Sequence, residues 1–469
     1  MKRAMVVSFL LPVVSRAFRG THRGLTRSMS QMEPLRATHV SEGTVSQVVL
    51  KRTKQSRAFR DGNQLVFTRA IQAADLNTRT GDLVQISVDN GDISAPVCLG
   101  YGVYNPDSLY KVRFLCHRYL QPALYQSIQS HPSNAMPLIL HHHLKFALSS
   151  RQTLGLPNED TDTYRLVHGE GDSLSGLAMD VIANRVVVVM SSAAWCQIHQ
   201  AAIVEAVQQV LPGLEVVWRE TPSRLQQDGY HDTLEATDET AADCPVLSRE
   251  NGIVFQTFPW QSGQKTGVYC DQRENRWNLA KLCRDKTVLD LCCYHGGFSL
   301  NALVHGMATH STGVDSSQDA IDICLENARL NNCEDRADFV RADITTFLQD
   351  TSGEREYDVV VLDPPKLAPN VSGLDKARRK YHSFNRDAIK LVNSRDGGLL
   401  LTCTCSAAMT QKDGGQYFLG MVQGAALAAG RQVTLLRVSG AAPCHTQSPI
   451  SWPAGAYLTA ALFRVHPKE

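Results

Sequence analysis

The chain has 469 residues, room for about two to four domains, and carries 47 basic against 46 acidic residues. With 43% hydrophobic and 20% charged residues it has the make-up of a globular protein, which excludes a disordered or collagen-like chain. No apolar run approaches the roughly 20 residues that span a bilayer. Thirteen cysteines without framework spacing suit a reducing compartment rather than a disulfide scaffold.

In the first 32 residues Lys2, Arg3, Arg16, Arg19, Arg23 and Arg27 precede any acid, with serines interspersed. Residues 1–43 therefore read as a targeting leader to an organelle, a mitochondrion or a plastid, with a cytoplasmic protein as the alternative. The apolar patch Met5 to Val14, followed by Ser15-Arg16-Ala17-Phe18, also fits a two-part plastid leader. Without those six cations, 41 basic residues face 46 acidic ones. A nucleic-acid partner would then need local basic patches. Lys51 to Arg69 is one candidate, with a solvated face as its bland counterpart.

From Val45 to Leu120 short alternating runs (64–68, 83–88, 97–103, 110–115) predict a small β-rich domain, separated by turn signals such as Asp89-Asn90-Gly91-Asp92. Leu138 to Leu148 has helical spacing, and His141-His142-His143 on it lacks a partner cluster, so it reads as surface helix rather than a metal site. Strand patterns at 164–168, 176–182, 185–191 and 215–219, around a helix near 198–210, predict a connecting α+β unit without a catalytic constellation.

The last part is organised around Thr287 to Phe298. A short apolar strand runs into Gly296-Gly297 and then into a helix, the opening unit of a nucleotide-type site. Further strands end in Asp315, near Asp343, and in Asp363-Pro364-Pro365-Lys366. Four strands with a carboxylate at or near each carboxyl end predict a ligand crevice along one edge of a parallel sheet. The prolines after Asp363 stiffen the backbone, leaving carbonyls and an acid suited to a flat heterocycle. The strand Leu399 to Thr404 brings Cys405 just past its end, beside Asp363 in an adjacent parallel strand. A thiol there needs a lowered pKa to react, and an inward Lys366 would supply the charge.

At these residues the sequence resembles a known family. From about Val49 onward it is similar to class I S-adenosylmethionine-dependent methyltransferases related to bacterial ribosomal RNA large subunit methyltransferase I, which make 5-methylcytosine. The motifs are Gly263-Gln264-Lys265-Thr266-Gly267 with Asp271-Gln272-Arg273, Tyr294 to Phe298, Asp315, Asp343, Asp363 to Lys366, and Thr404-Cys405-Ser406.

The resemblance implies an α/β fold. A PUA-like RNA-binding domain would span 44–125, an α+β linking domain 126–250, and a Rossmann-like methyltransferase domain 251–469. It implies S-adenosyl-L-methionine as cofactor, large-subunit rRNA as partner, and neither metal nor membrane. Tyr294, Gly296 and Gly297 would hold the methionine part, Asp315 the ribose and Asp343 the adenine amine. Gln272 and Arg273 would close over the site together with Asp363, and Cys405 would be the nucleophile, aided by Asp363 and Lys366. Two rivals stand beside this: a same-fold guanine N-methyltransferase without a covalent step, and a non-catalytic RNA-binding assembly factor.

Overall fold

A computed structural model of the chain describes residues 45–53, 58–91, 95–231, 245–261, 267–351, 353, 355–368 and 370–469. The leader, Lys54, Arg57 and Gly263 to Thr266 lie outside the described residues.

The first sheet has six strands: Ser46–Leu50, Leu65–Phe67, Ile71–Ala74, Leu83–Val88, Val97–Tyr104 and Tyr110–His117. All its pairings are antiparallel except Ser46–Leu50 with Leu83–Val88. The period-2 alternation of its apolar residues puts Val48, Leu50, Val84, Ile86, Leu99, Val112 and Phe114 in one core. Lys51, Arg52, Arg60 and Arg69 are exposed on this domain.

The helix Ala135–Thr153 packs into a second core with a four-stranded sheet, ordered Glu215–Glu220, Val186–Ser191, Leu177–Ile182, Tyr164–His168. The expected histidine surface needs correction here. His143 is only 3% exposed, and its Nε2 sits 2.5 Å from the carbonyl oxygen of Leu115. The helix packs its His143 face, with Leu140, Leu144 and Ala147, against the core, so the ring fills space and pairs with a strand carbonyl. Burial lowers its pKa to about 4. Among the described residues no group of three or more His, Cys, Asp or Glu could hold a metal, and no helix is long and apolar enough to cross a membrane.

A hairpin, Val246–Glu250 with Ile253–Thr257, leads to the seven-stranded sheet. That sheet runs Ala337–Arg341, His310–Asp315, Thr287–Leu291, Val359–Leu362, Gly398–Thr404, Thr459–Val465, Val433–Ser439. The first five strands pair in parallel, and Thr459–Val465 runs antiparallel to both of its neighbours, Gly398–Thr404 and Val433–Ser439. The strand Thr287–Leu291, first of these in the chain, lies inside the sheet, and the order reverses on either side of it. This is the doubly wound arrangement in which ligands bind beyond the carboxyl ends of the strands.

Between the last two strands the chain makes a long excursion that touches every other part of the fold. Ser451 Oγ accepts from the Gln64 backbone N–H at 2.9 Å, and Trp452 meets Tyr110 edge-on at 6.1 Å. Thr446 Oγ1 donates to Asp172 at 2.7 Å, and the Cys444 carbonyl accepts from the buried Arg151 at 2.6 Å. The Ala442 N–H bonds the Asp271 carbonyl at 2.8 Å.

Candidate active site

The turn after Thr287–Leu291 is conformationally costly. Cys292 and Tyr294 both have positive φ, 64° and 49°, and Gly296 follows at 79°. Left-handed non-glycine residues cost free energy and persist where the surroundings fix them. Asp315, at the tip of the neighbouring strand, does the fixing. Its Oδ2 accepts from the Tyr294 N–H at 3.0 Å, and its Oδ1 from the Ser317 N–H at 3.0 Å. Both oxygens keep accepting capacity for a further donor. Asp290 ties the strand to the helix Gly297–Val304 by accepting from the N–H and Oγ of Ser299, both at 3.0 Å. Burial pushes its carboxyl up to about 6.

Gly297 is required by what lies against it. A Cβ there would stand 2.5 Å from Nε of Arg276, whose guanidinium makes an ion pair with Glu250 at 2.9 Å and reaches over the Phe298 ring. Beside the turn lies a pocket lined by Thr257, Tyr269, Arg276, Cys293, Tyr294 and Gly297.

The Cys292 thiol is driven up by burial first and then by the charges of Asp315, Asp363, Asp290 and Asp343. Asp343 is exposed and caps the helix Ile344–Asp350, accepting from the N–H groups of Thr345 and Thr346 at 2.8 and 3.3 Å, which lowers its pKa.

Asp363 is the most perturbed of these acids. Burial first, then the like charge of Asp271, raises its pKa to about 7, against the pull of a 2.9 Å bond from Gln272 Nε2. Gln272 is held in turn by Asn275, which donates to its Oε1 at 2.7 Å. Asp271 accepts from the Tyr457 hydroxyl at 2.6 Å.

Register places the sulfur. Leu362 pairs with Thr402, so Cys403 lies level with Asp363, and Cys405 follows two residues on, just past the end of Gly398–Thr404. Cys405 is half-buried, held between two anchored neighbours. Thr404 Oγ1 donates to the Tyr381 hydroxyl at 2.9 Å, and Ser406 Oγ to the Ala368 carbonyl at 2.6 Å. The Tyr269 phenol is pushed up by burial first and then by the charges of Asp271, Asp363, Cys405 and Asp315.

Two of the expected residues lie elsewhere. Lys366 is exposed. Arg273 is buried away from Asp363, its Nη2 donating to Glu274 at 3.0 Å and meeting the Cys444 sulfur at 3.6 Å. Tyr269, Arg276, Glu250 and Tyr457 were not singled out from the sequence. Gln272, Asn275 and Arg276, polar at helical spacing in a buried run, were the available signal.

Residues 272–423 match the family model described as conserved hypothetical protein 95, and residues 48–117 match that of a PUA-like domain. The chain is 32% identical over 417 residues to ribosomal RNA large subunit methyltransferase I of Alteromonas mediterranea, covering 88% of this chain and 97% of that protein. It is 34% identical over 308 residues to the protein of the same name in Escherichia coli O9:H4, covering 65% of this chain and 75% of that one. A protein from Streptococcus mutans described as a SAM-dependent methyltransferase shares the fold, with TM-score 0.66 at 20% identity over 89% of this chain and all of that one. These named relatives are bacterial. That overturns the organellar reading of the first residues: basic, acid-free composition alone does not specify an organelle address.

Proposed function

The chain belongs to the family of ribosomal RNA large subunit methyltransferase I, S-adenosylmethionine-dependent enzymes, and from that premise we propose that it methylates carbon 5 of a cytosine in large-subunit rRNA through a covalent bond from Cys405. The observation that carries this reading is the strand register: Leu362 pairs with Thr402, so Asp363 and Cys405 follow the ends of two adjacent parallel strands.

The residues present suit the cofactor. Asp315 offers a backbone-braced carboxylate for ribose hydroxyls, Asp343 an acceptor for the adenine amine, and the bare Gly296-Gly297 turn a close approach for the methionine part. When bound, S-adenosylmethionine supplies an electrophilic methyl group on a sulfonium.

Carbon 5 of cytosine is too weak a nucleophile to take that methyl group unaided. The Cys405 thiolate adds to carbon 6, forming an S–C bond and moving ring electrons towards carbon 5. Nitrogen 3 has a lone pair and no hydrogen, so only a protonated carboxyl can donate to it. A pKa raised to about 7 leaves that proton on about half of the Asp363 carboxyls at neutral pH, where an ordinary carboxyl holds almost none. As the lone pair is drawn on, Asp363 passes its proton to nitrogen 3. After methylation a base takes the carbon 5 proton, the S–C bond breaks to return the thiolate, and nitrogen 3 returns its proton to Asp363. A stacked cytosine cannot reach both groups, so the target is unpaired or flipped.

The test is RNA carrying 5-fluorocytidine, in which fluorine cannot leave carbon 5 as a proton does. Wild-type enzyme with cofactor is expected to form an adduct that survives a denaturing gel, and Cys405→Ala none. Turnover of unmodified RNA by Cys405→Ala would overturn the covalent mechanism and favour methylation of a ring or exocyclic nitrogen.

A further inference from the structure

The helix Leu374–Lys390 goes against two rules of helix charge placement at once. Lys376, Arg379 and Lys380 are all exposed and stand at i, i+3 and i+4, on one face, where like charges repel. They also crowd the first two turns, where unpaired N–H groups already make the helix end positive; Asp375 is the lone acid in its first turn. The other end of the same helix is ordinary: Arg386 and Lys390 both pair with Asp387, at 2.7 and 3.1 Å. Arg378 and Lys380 have aromatic partners, lying 5.7 Å over the Tyr417 ring and 5.3 Å over the Phe384 ring. Among the described residues, Lys376 and Arg379 form no ion pair. A chain that breaks local rules without internal compensation does so where something outside it compensates.

The place is as informative as the charge. The helix follows the Asp363–Lys366 turn, whose Lys366 is exposed as well. Its Tyr381 receives the hydrogen bond of Thr404, the residue before Cys405. Lys380 lies in charge range of Asp343. The basic face therefore borders the crevice mouth, on a protein whose total charge is close to zero.

We propose that the face of Lys376, Arg379 and Lys380 binds RNA phosphates and seats the strand that carries the target nucleotide over the Cys405 crevice. This rests on the RNA methyltransferase reading, and deepens it by naming the surface that takes the substrate backbone. The face reads charge and spacing, so it positions without selecting sequence. Because the cations repel one another in the free protein, RNA binding relieves a cost that the helix otherwise carries.

The double variant Lys376→Gln/Arg379→Gln tests it, in the full chain, with an rRNA fragment that the wild type binds and methylates. RNA affinity should fall roughly tenfold at about 0.1 M salt, and the slope of log affinity against log salt should shrink by about 1.4 to 1.8, because two phosphates are no longer neutralised. Cofactor affinity by calorimetry should stay within twofold. The thermal midpoint should hold or rise, since repulsion is relieved, and this separates a missing phosphate partner from a folding defect. Lys390→Gln, at the paired end, should change RNA affinity less than twofold. Unchanged affinity and salt slope in the double variant would overturn the proposal, as would a preference of this face for anionic vesicles or acidic peptides over RNA. RNA methylated at a nitrogen instead of carbon 5 would sink the cytosine chemistry and leave this surface standing.

Discussion

Gln272 donates from Nε2 to Asp363 Oδ2 across 2.9 Å, and this neutral bond restrains a carboxyl that burial and Asp271 drive up to about 7. Removing the donor leaves the ionised form less supported, so Asp363 should hold its proton to higher pH. Gln272→Ala is expected to move the alkaline limb of the single-turnover rate upward in pH. A limb that stays in place while the rate falls would mean that Gln272 does not act through Asp363.

The same carboxyl should show in stability. Its folded pKa lies above the ordinary 3.8, so its contribution is fully present below that value and is lost as pH rises to about 7. Asp363→Asn should flatten that decline and be more stable than wild type at pH ~8 by at least about 1 kcal/mol. Urea unfolding at pH ~5 and ~8 checks it. Equal slopes for both proteins would show that Asp363 titrates at the same pH folded and unfolded.

Asp315 holds the Tyr294 and Ser317 N–H groups, and its loss should unpin the left-handed turn. Asp315→Ala is expected to weaken cofactor binding by roughly tenfold or more, since a hydrogen bond to a charged group contributes about 1.5–3 kcal/mol. RNA affinity should move little. Equal loss of both, by calorimetry and filter binding, would refute the ribose assignment.

Gly297→Ala places a methyl group 2.5 Å from Nε of Arg276, a guanidinium held in a buried pair with Glu250. Overpacking of this kind costs about 1–3 kcal/mol. Chemical denaturation should show that loss, and the companion Arg276→Ala/Gly297→Ala should not add it to the cost of Arg276→Ala alone.

How much of this was readable beforehand depended on range. The parallel strands at 287–291, 310–315, 337–341, 359–362 and 398–404 were predicted within about two residues, because buried β runs between amphipathic helices carry strong local patterns. Ser317 is the N-cap of the helix that follows Asp315 and accepts from the Ala320 N–H, a local start signal of the usual kind. The hairpin at 246–257 was not anticipated although its signal was local: Asn251-Gly252, with φ of 52° and 81°, makes the two-residue turn between strands of alternating burial. Long-range partners were invisible too. Arg276 against Glu250, Tyr457 on Asp271 and His143 on Leu115 join separate elements of the fold, and no local spacing encodes them. Lys366 shows the opposite limit: the motif marked it, but side-chain direction is a property of the folded turn, and the turn leaves it exposed.

The excursion that reaches Gln64, Asp172 and Asp271 is made of residues translated long after the parts of the fold on which it docks. During synthesis the first sheet and the connecting unit can collapse early but must wait, with those docking spots bare, until residues 440–458 leave the ribosome. A truncation before residue 440 would then injure a part of the fold made much earlier, 387 positions upstream in the case of Gln64 and Ser451.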